Sequence, residues 1–303
     1  MQLAMVGLGK MGANMTTRLI KGGHDLVVTD LNEDAIKTAE KEGATGAANL
    51  EELVDKLSSS PRIVWVMVPA GKPTESTLQS LGDLLSEGDV VIDGGNSNYN
   101  ETLRQNEMLS AKGIHFVDVG TSGGVWGLKE GYSMMVGGPK EIVEHLRPIF
   151  ETLAPAADKG WGYVGPTGAG HFVKMVHNGI EYGMMQAYAE GFAIMKAKKE
   201  FDLDMAEISR IWQHGSVVRS WLLDLMHEAF TEDQEFEDIA AYVTDSGEGR
   251  WTVFEAIDLD VSAPVITLAL QRRLRSREED NYTDKLLNVT RNQFGGHSIK
   301  KKD

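Results

Sequence analysis

Gly7-Leu8-Gly9-Lys10-Met11-Gly12 decides the fold of the first half of this chain. It follows directly on a short apolar run, 2–6, and opens a helical pattern over 10–21. Alone, G-x-G-x-x-G is a weak signal; between a strand and a helix it is the phosphate-binding turn of a dinucleotide fold. The first glycine allows the tight turn, the second lets backbone approach a pyrophosphate, and the third lets helix pack on strand. The helix N-terminus adds N–H groups and the positive end of its dipole. The plain alternative is a glycine-rich turn without a ligand. Asp30 closes the second apolar run, 25–29. A carboxylate there accepts hydrogen bonds from the adenosine ribose and repels a 2′-phosphate. Leu31-Asn32-Glu33 offers no arginine to offset that repulsion. The expected cofactor is therefore NAD rather than NADP, held by Gly7, Leu8, Gly9, Lys10, Met11, Gly12 and Asp30.

Outward from this turn, short apolar runs alternate with helical patterns. Further strands are expected at 63–68, 90–92 and 114–119, which implies βαβ units and a mostly parallel, doubly wound sheet. Residues 134–136 and 162–164 are expected as antiparallel edge strands. Val68-Pro69-Ala70 and Asp93-Gly94-Gly95-Asn96-Ser97 end two of the strands. Such strand ends face one ligand crevice, so Val68, Pro69, Ala70 and Asn96 are expected near the cofactor. After Gly165-Pro166 the pattern becomes helical: 167 onward through 198, then 204–213, 220–228, 250–258, 264–275 and 281–293. The expectation is a Rossmann-like α/β domain, 1–164, followed by an all-α domain, 165–303.

The chain has 303 residues, 42% hydrophobic and 25% charged, with a net charge of −15. That balance argues against a nucleic-acid partner, which would need a basic face. There is no cysteine, so disulfides and thiolate metal sites are excluded, and the eight histidines show no metal-ligand spacing. No metal is expected. No apolar run is long enough to span a membrane. The chain enters its first strand without a basic-then-apolar leader, so a cytoplasmic location is expected.

The second telling stretch is Gly168-Ala169-Gly170-His171-Phe172-Val173-Lys174-Met175-Val176-His177-Asn178-Gly179-Ile180-Glu181-Tyr182. In a helix, Lys174, His177, Asn178, Glu181 and Tyr182 fall on one face. Val173, Val176, Ile180, Met184 and Ala187 form an apolar stripe beside them. The stripe is expected to be buried and the polar row to face a ligand. A base and an acid two turns apart on one rigid helix suit two-stage proton transfer. A merely solvated helix face is the alternative, although such faces are mostly Lys and Glu rather than His, Asn and Tyr. Earlier in the chain, Thr121-Ser122-Gly123-Gly124 offers a hydroxyl and close backbone N–H groups, as a carboxylate site needs; it also reads as a tight loop.

Together these motifs resemble the 6-phosphogluconate dehydrogenase family, within the β-hydroxyacid dehydrogenases. The match takes in the glycine turn with Ala13-Asn14, Asp93–Ser97, Thr121–Gly124 and Lys174–Tyr182, and spans almost the whole chain. The chain is similar to the short, NAD-preferring branch, which lacks the second block of helices of the long members. The resemblance implies oxidative decarboxylation of 6-phosphogluconate to ribulose 5-phosphate and CO2, a pentose phosphate pathway reaction tied to gluconate utilisation. It gives Lys174 the C3 hydroxyl proton and Glu181 the later protonation of C1 of the resulting enediol. It assigns Asn96, Ser122, Gly123, Gly124, His177 and Asn178 to the carboxylate and hydroxyls, and Tyr182 to the 6-phosphate. Spacing from Gly249-Arg250-Trp251-Thr252 sets Arg273 at the family's phosphate-binding arginine, with Arg272 and Arg275 as alternative registers. Arg291 and His297 resemble family residues that reach a neighbouring subunit's substrate. That implies a homodimer, or a tetramer built of dimers, with shared active sites; a frayed basic tail is the alternative. There is one departure. A lysine that contacts phosphate in long members has Ser246 in its place, so the site has lost a cation or another residue, such as Arg250, supplies it.

Two rival functions remain at this level: a β-hydroxyacid dehydrogenase acting on a small unphosphorylated acid, and a non-catalytic NAD-binding sensor. Glu181, Tyr182, Arg291 and His297 discriminate against the first, and the Lys174/Glu181 pair against the second.

Overall fold

A computed structural model of the chain describes residues 1–301. Eight strands form one sheet: β1 (Gln2–Val6), β2 (Asp25–Thr29), β3 (Thr45–Gly46), β4 (Ile63–Val66), β5 (Val90–Asp93), β6 (His115–Ser122), β7 (Ser133–Gly137) and β8 (Trp161–Gly165). Between them run α1 (Lys10–Lys21), α2 (Glu33–Lys41), α3 (Leu50–Asp55), α4 (Lys72–Leu84), α5 (Tyr99–Ser110), α6 (Gly127–Glu130), α7 (Lys140–His145) and α8 (Arg147–Leu153). The strand order is β3-β2-β1-β4-β5-β6-β7-β8. The first six strands are parallel. β7 runs antiparallel to β6, and β8 parallel to β7, so both oppose the main sheet. The order reverses direction at β1 and β4, the place where a dinucleotide-binding sheet opens its crevice.

Strand alternation builds two cores. Leu3, Met5, Val28, Trp65 and Ile92 point to one face, where Met15, Leu19 and Phe150 cover them. Ala4, Val6, Val27, Val64 and Val91 point to the other, beneath Leu53, Leu78, Leu81 and Leu109. Each fully buried large side chain contributes roughly 1.5–3 kcal/mol. Because both faces are covered, these strands are apolar throughout.

Several strands differ in length from the sequence expectation, and the two-residue strand β3 is not among those expected. β4 stops at Val66, short of Val68, because the turn at Gly7 closes over Met67 and Pro69 has no N–H for the ladder. β6 continues to Ser122 because β7 pairs with it as far as Ser122 opposite Ser133.

The remaining elements are helical: α9 (Ala169–Ala197), α10 (Met205–Trp212), α11 (Trp221–Glu232), α12 (Glu248–Asp258), α13 (Pro264–Arg275) and α14 (Tyr282–Gly295). By internal contacts the chain divides into two compact units, Met1–Asn178 and Gly179–Asp303, so the division falls within α9. The second unit has two small cores, one of Tyr182, Val253, Ala269 and Leu270, the other of Phe192, Met205, Leu223 and Phe230. No described helix is long and apolar enough to cross a membrane.

Candidate active site

The glycine turn has the geometry its sequence asks for. Gly7 has φ +96°, and a Cβ there would meet the Met67 carbonyl oxygen at 2.5 Å. A Cβ on Gly12 would lie 2.0 Å from the Gly7 carbonyl oxygen, so helix–strand packing excludes it. At Gly9 nothing beyond its own chain neighbours lies within 4 Å of that position. The backbone at Gly9 is therefore open to solvent, which leaves room for a pyrophosphate to approach it. Asp30 locks the turn from the end of β2: its carboxylate accepts the Leu8 N–H at 2.5 Å and the Asn32 N–H at 2.7 Å. Lys10 is exposed at the start of α1, and Met11 is half-buried. The cradle, the helix N-terminus and the carboxylate fit a dinucleotide with a free 2′-hydroxyl.

Other strand ends supply the rest of this rim. After β4, Val68 is half-buried while Pro69 and Ala70 are exposed. After β5, buried Asp93 shapes the loop by accepting the Gly95 N–H at 2.9 Å and the Ser97 hydroxyl at 2.6 Å, which leaves Asn96 exposed at the tip. Ser122 is the last residue of β6, and Gly123 and Gly124 follow with φ +126° and +49°. A Cβ on Gly123 would lie 3.2 Å from the Tyr132 ring.

α9 is anchored to the sheet by Asp118 in β6. This wholly buried carboxylate accepts the Gly168 N–H at 2.7 Å and the His171 N–H at 2.8 Å, capping the helix and complementing its dipole. The His171 ring meets the Thr102 hydroxyl on α5 at 2.7 Å. Lys174 lies one turn on, its stem against β6: a Cβ on Gly120 would be 2.3 Å from the Lys174 Cβ. His177 Nδ1 and Asn178 Oδ1 are 3.0 Å apart.

The burial of α9 reverses the expectation from its sequence. Lys174 and Tyr182 are 5% and 4% exposed and Asn178 is also buried, while His177 and Glu181 are half-buried. The apolar stripe faces out instead: Val173, Met184 and Ala187 are exposed, Ile180 is 52% exposed, and Val176 is half-buried. Glycine explains the reversal. Gly170 packs against the Asp118 and Met135 carbonyls, and Gly179 against the Thr252 side chain. Where backbone must approach this closely the helix face is set by missing side chains, not by apolar ones.

In the second unit, Tyr182 packs beneath Gly249 of α12, where a Cβ would lie 2.3 Å from its ring. The Arg273 guanidinium lies over the same ring, 3.6 Å from its centroid. Arg275 turns away to Asp284 at 2.6 Å, so of the candidate registers it is Arg273 that meets Tyr182. The Tyr182 hydroxyl accepts the Ser246 N–H at 3.2 Å, and the Ser246 hydroxyl donates to the buried Glu248 carboxylate. Arg250, the candidate replacement for the missing lysine, pairs with Asp245 at 2.8 Å. Arg291 on α14 and His297 just beyond it are exposed, and Arg291 is in no ion pair among the described residues. Asp118, Asp93, Asp245 and Arg277 were not singled out as site residues from the sequence. For Asp93 the available signal is an acidic residue ending an apolar strand just before a glycine-rich turn, and for Asp118 a single carboxylate within the apolar run of β6.

Residues 2–165 match the NAD-binding domain of 6-phosphogluconate dehydrogenase, and residues 170–303 its C-terminal domain. The chain is 43% identical over 304 residues to a Haloferax volcanii NAD(+)-dependent decarboxylating 6-phosphogluconate dehydrogenase, covering the full length of both. It is 37% identical over 292 residues to a Bacillus subtilis NAD(+)-dependent decarboxylating 6-phosphogluconate dehydrogenase, covering 92% of this chain and 62% of that one. Among solved structures it is similar to Plasmodium falciparum 6-phosphogluconate dehydrogenase, with a TM-score of 0.83 and 27% identity, over the whole of this chain and 66% of that one. With both halves matched and a full-length relative well above 30% identity, the chain belongs to the 6-phosphogluconate dehydrogenase family.

Proposed function

We propose that this protein oxidises 6-phosphogluconate at C3 and decarboxylates it, with NAD as acceptor, giving ribulose 5-phosphate and CO2. One observation carries the reading: a single helix holds a buried lysine against the end of β6, a carboxylate about 10 Å further along its axis, and then a tyrosine. Residues 1–164 serve as the cofactor domain and 165–303 as the substrate domain. Bound NAD supplies the acceptor for the hydrogen and electron pair that leave C3. Gly7, Leu8, Gly9, Lys10, Met11 and Gly12 hold its pyrophosphate, Asp30 its adenosine ribose, and Val68, Pro69, Ala70 and Asn96 its other end.

Lys174, as the neutral amine, accepts the C3 hydroxyl proton. The product of oxidation is a β-keto acid. As its carboxylate leaves, the electron pair of the C1–C2 bond moves toward the carbonyl, and Lys174 returns a proton to that oxygen. A proton donor at the carbonyl suffices for this step, so the chemistry requires no metal. Glu181 then protonates the former C2, which is C1 of the five-carbon enediol. Asn96, Ser122, Gly123, Gly124, His177 and Asn178 hold the carboxylate and hydroxyls. Tyr182 and Arg273 take the phosphate.

A shared site in a homodimer is part of the same proposal. Leu286, Leu287 and Val289 of α14 are exposed, as are Val173, Ile180, Met184 and Ala187 of α9. A lone 14-residue helix is marginal in water, so α14 is expected to gain stability from apolar contact with a second subunit. Arg291 and His297 would then reach the partner's substrate. A cytoplasmic enzyme is the reading throughout.

The test is NADH formation and CO2 release with 6-phosphogluconate and with gluconate. Strong preference for the phosphorylated acid, with one CO2 per NADH, is expected. Equal turnover of gluconate, or NADH without CO2, would sink the assignment in favour of a dehydrogenase of small unphosphorylated acids.

A further inference from the structure

Three guanidinium groups converge on three consecutive residues beside Tyr182. Arg277 donates from Nε to the Val243 carbonyl at 3.1 Å and from Nη2 to Asp245 at 3.1 Å. Arg273 donates to the Thr244 carbonyl at 2.8 Å while stacking on the Tyr182 ring. Arg250 donates from α12 to the same oxygen of Asp245 that Arg277 uses, at 2.8 Å. The other oxygen of Asp245 accepts the Gly247 N–H at 3.0 Å. Val243 is itself tied to α13, its N–H donating to the Ser276 hydroxyl at 2.9 Å. Segment 243–247 therefore threads between α12, the end of α13 and Tyr182, and each arginine is fastened to it.

The exposures have an order. The Asp245 side chain is 5% exposed, whereas those of Arg250 and Arg277 are 37% and 27% exposed. The carboxylate lies underneath and the guanidinium groups lie outside it. A guanidinium has five N–H donors in a fixed fork, and the contacts above use one or two from each. The rest can take a second, outer anion. Burial opposes the charge on Asp245, but hydrogen bonds and charge from Arg250 and Arg277 outweigh it and hold the carboxyl below its usual range. Among the groups joined by these contacts, three guanidinium groups stand against two carboxylates, Asp245 and Glu248, in a chain of net charge −15. Ser246, where a lysine would stand in long relatives, is occupied with Tyr182 and Glu248 and brings no charge.

We propose that Asp245 is a positioning residue that sets Arg250 and Arg277 beside the Arg273–Tyr182 stack, and that this arginine trio recognises the substrate's phosphate monoester without the lysine. Asp245 cancels repulsion between two arginines before the anion arrives, and its single shared oxygen holds their forks at a fixed spacing. Phosphate and carboxylate then bind opposite edges of the same guanidinium groups. This rests on the proposed 6-phosphogluconate activity and adds to it the device that selects the phosphorylated acid. Charge-assisted contacts from arginine to phosphate are about twice as strong as neutral hydrogen bonds, so losing their alignment is expected to be readily measurable.

The test compares wild type with Asp245→Asn, Arg277→Ala and Arg277→Lys in steady-state assays, with inorganic phosphate as an inhibitor competing with 6-phosphogluconate. Asp245→Asn and Arg277→Ala are each expected to raise KM for 6-phosphogluconate and Ki for phosphate by about tenfold or more, in parallel, with KM for NAD within about twofold. Arg277→Lys should recover part of the loss, since it restores the charge but not the fork. A purely structural pin would lower the unfolding temperature and leave both phosphate-linked constants unchanged, and that result overturns the inference. If Asp245→Asn does not fold, the Arg277 pair decides by the same constants. Failure of the underlying activity shows separately: wild type would then turn over gluconate as well as 6-phosphogluconate, or neither.

Discussion

In the sheet unit, apolar side chains such as Leu3, Met5, Val64, Trp65 and Ile92 are wholly buried. In the helical unit, Phe254, Ile257, Val265, Leu268, Leu286 and Leu287 are exposed, although each sits on a helix with an apolar pattern. Both halves carry apolar residues in patterned elements. A sheet strand has two faces, and this chain provides helices for both. A helix of the second unit also has two apolar sides, and this chain covers only one. Apolar periodicity reports which face favours cover; it does not say that the same chain supplies it.

The most severe way to break this contrast is at Lys174, the proposed base on α9. Lys174→Met should reduce turnover by roughly 10²–10⁴ or more, on the general acid–base scale, and should abolish both NADH and CO2 formation. Glu181→Gln should cost less and fall on the later proton transfer. Near-normal turnover of Lys174→Met would leave the sheet unit as a binding module only.

Next in size is a charge on the exposed helix. Leu287→Glu should weaken self-association measured by light scattering, and activity should fall on dilution, because burying a leucine of this kind is worth roughly 1.5–3 kcal/mol. Mixing Arg291→Ala with Lys174→Met subunits should restore part of the activity, since one hybrid site would be intact. A fully active monomer would dissolve the contrast between the units.

A smaller effect is expected at Asp30. Replacing it with Ala removes the negative charge, so the kcat/KM ratio of NAD over NADP should drop. Asp30 also braces the turn through the Leu8 and Asn32 N–H groups, so some loss with NAD itself should accompany the change. A wild type that prefers NADP would contradict the reading of this rim.

The smallest is a pH effect that sharpens the picture of a closed sheet unit. His24 is buried with one ring nitrogen 2.9 Å from the Thr152 hydroxyl. Burial, helped by the nearby positive N-terminus, lowers its pKa below 6.5. Above pH 6.5 the ring is mostly neutral whether folded or unfolded. Below it the unfolded chain takes up a proton that the folded protein resists. The stability due to this group is therefore present above 6.5 and is lost as pH falls through the folded value. His24→Gln should flatten the decline of unfolding temperature between about pH 7 and pH 5. An unchanged slope would mean that another group sets it.

Much of this was readable in the residues. The glycine turn, the alternation of strands with helices, and the positions of α10 to α14 are local patterns, and they fell within a few residues of the observed bounds. The exposed side of α9 was not readable, because burial there follows glycines packed on distant carbonyls and a side chain, Asp118, Met135 and Thr252. The anchoring role of Asp118 links positions 50 and 53 residues apart, and that of Asp245 links three separate segments. One-dimensional spacing carries no sign of such pairings until the chain is folded.

The cap at Asp118 also makes α9 a lever with its fulcrum at the sheet. The helix has 29 residues and is about 43 Å long, so a tilt of about 5° about the cap would move its far end by nearly 4 Å. Lys174, five residues from the start, would move by only about 0.7 Å under the same tilt. The proposed base sits on the short arm, and movement of the long arm would disturb it little.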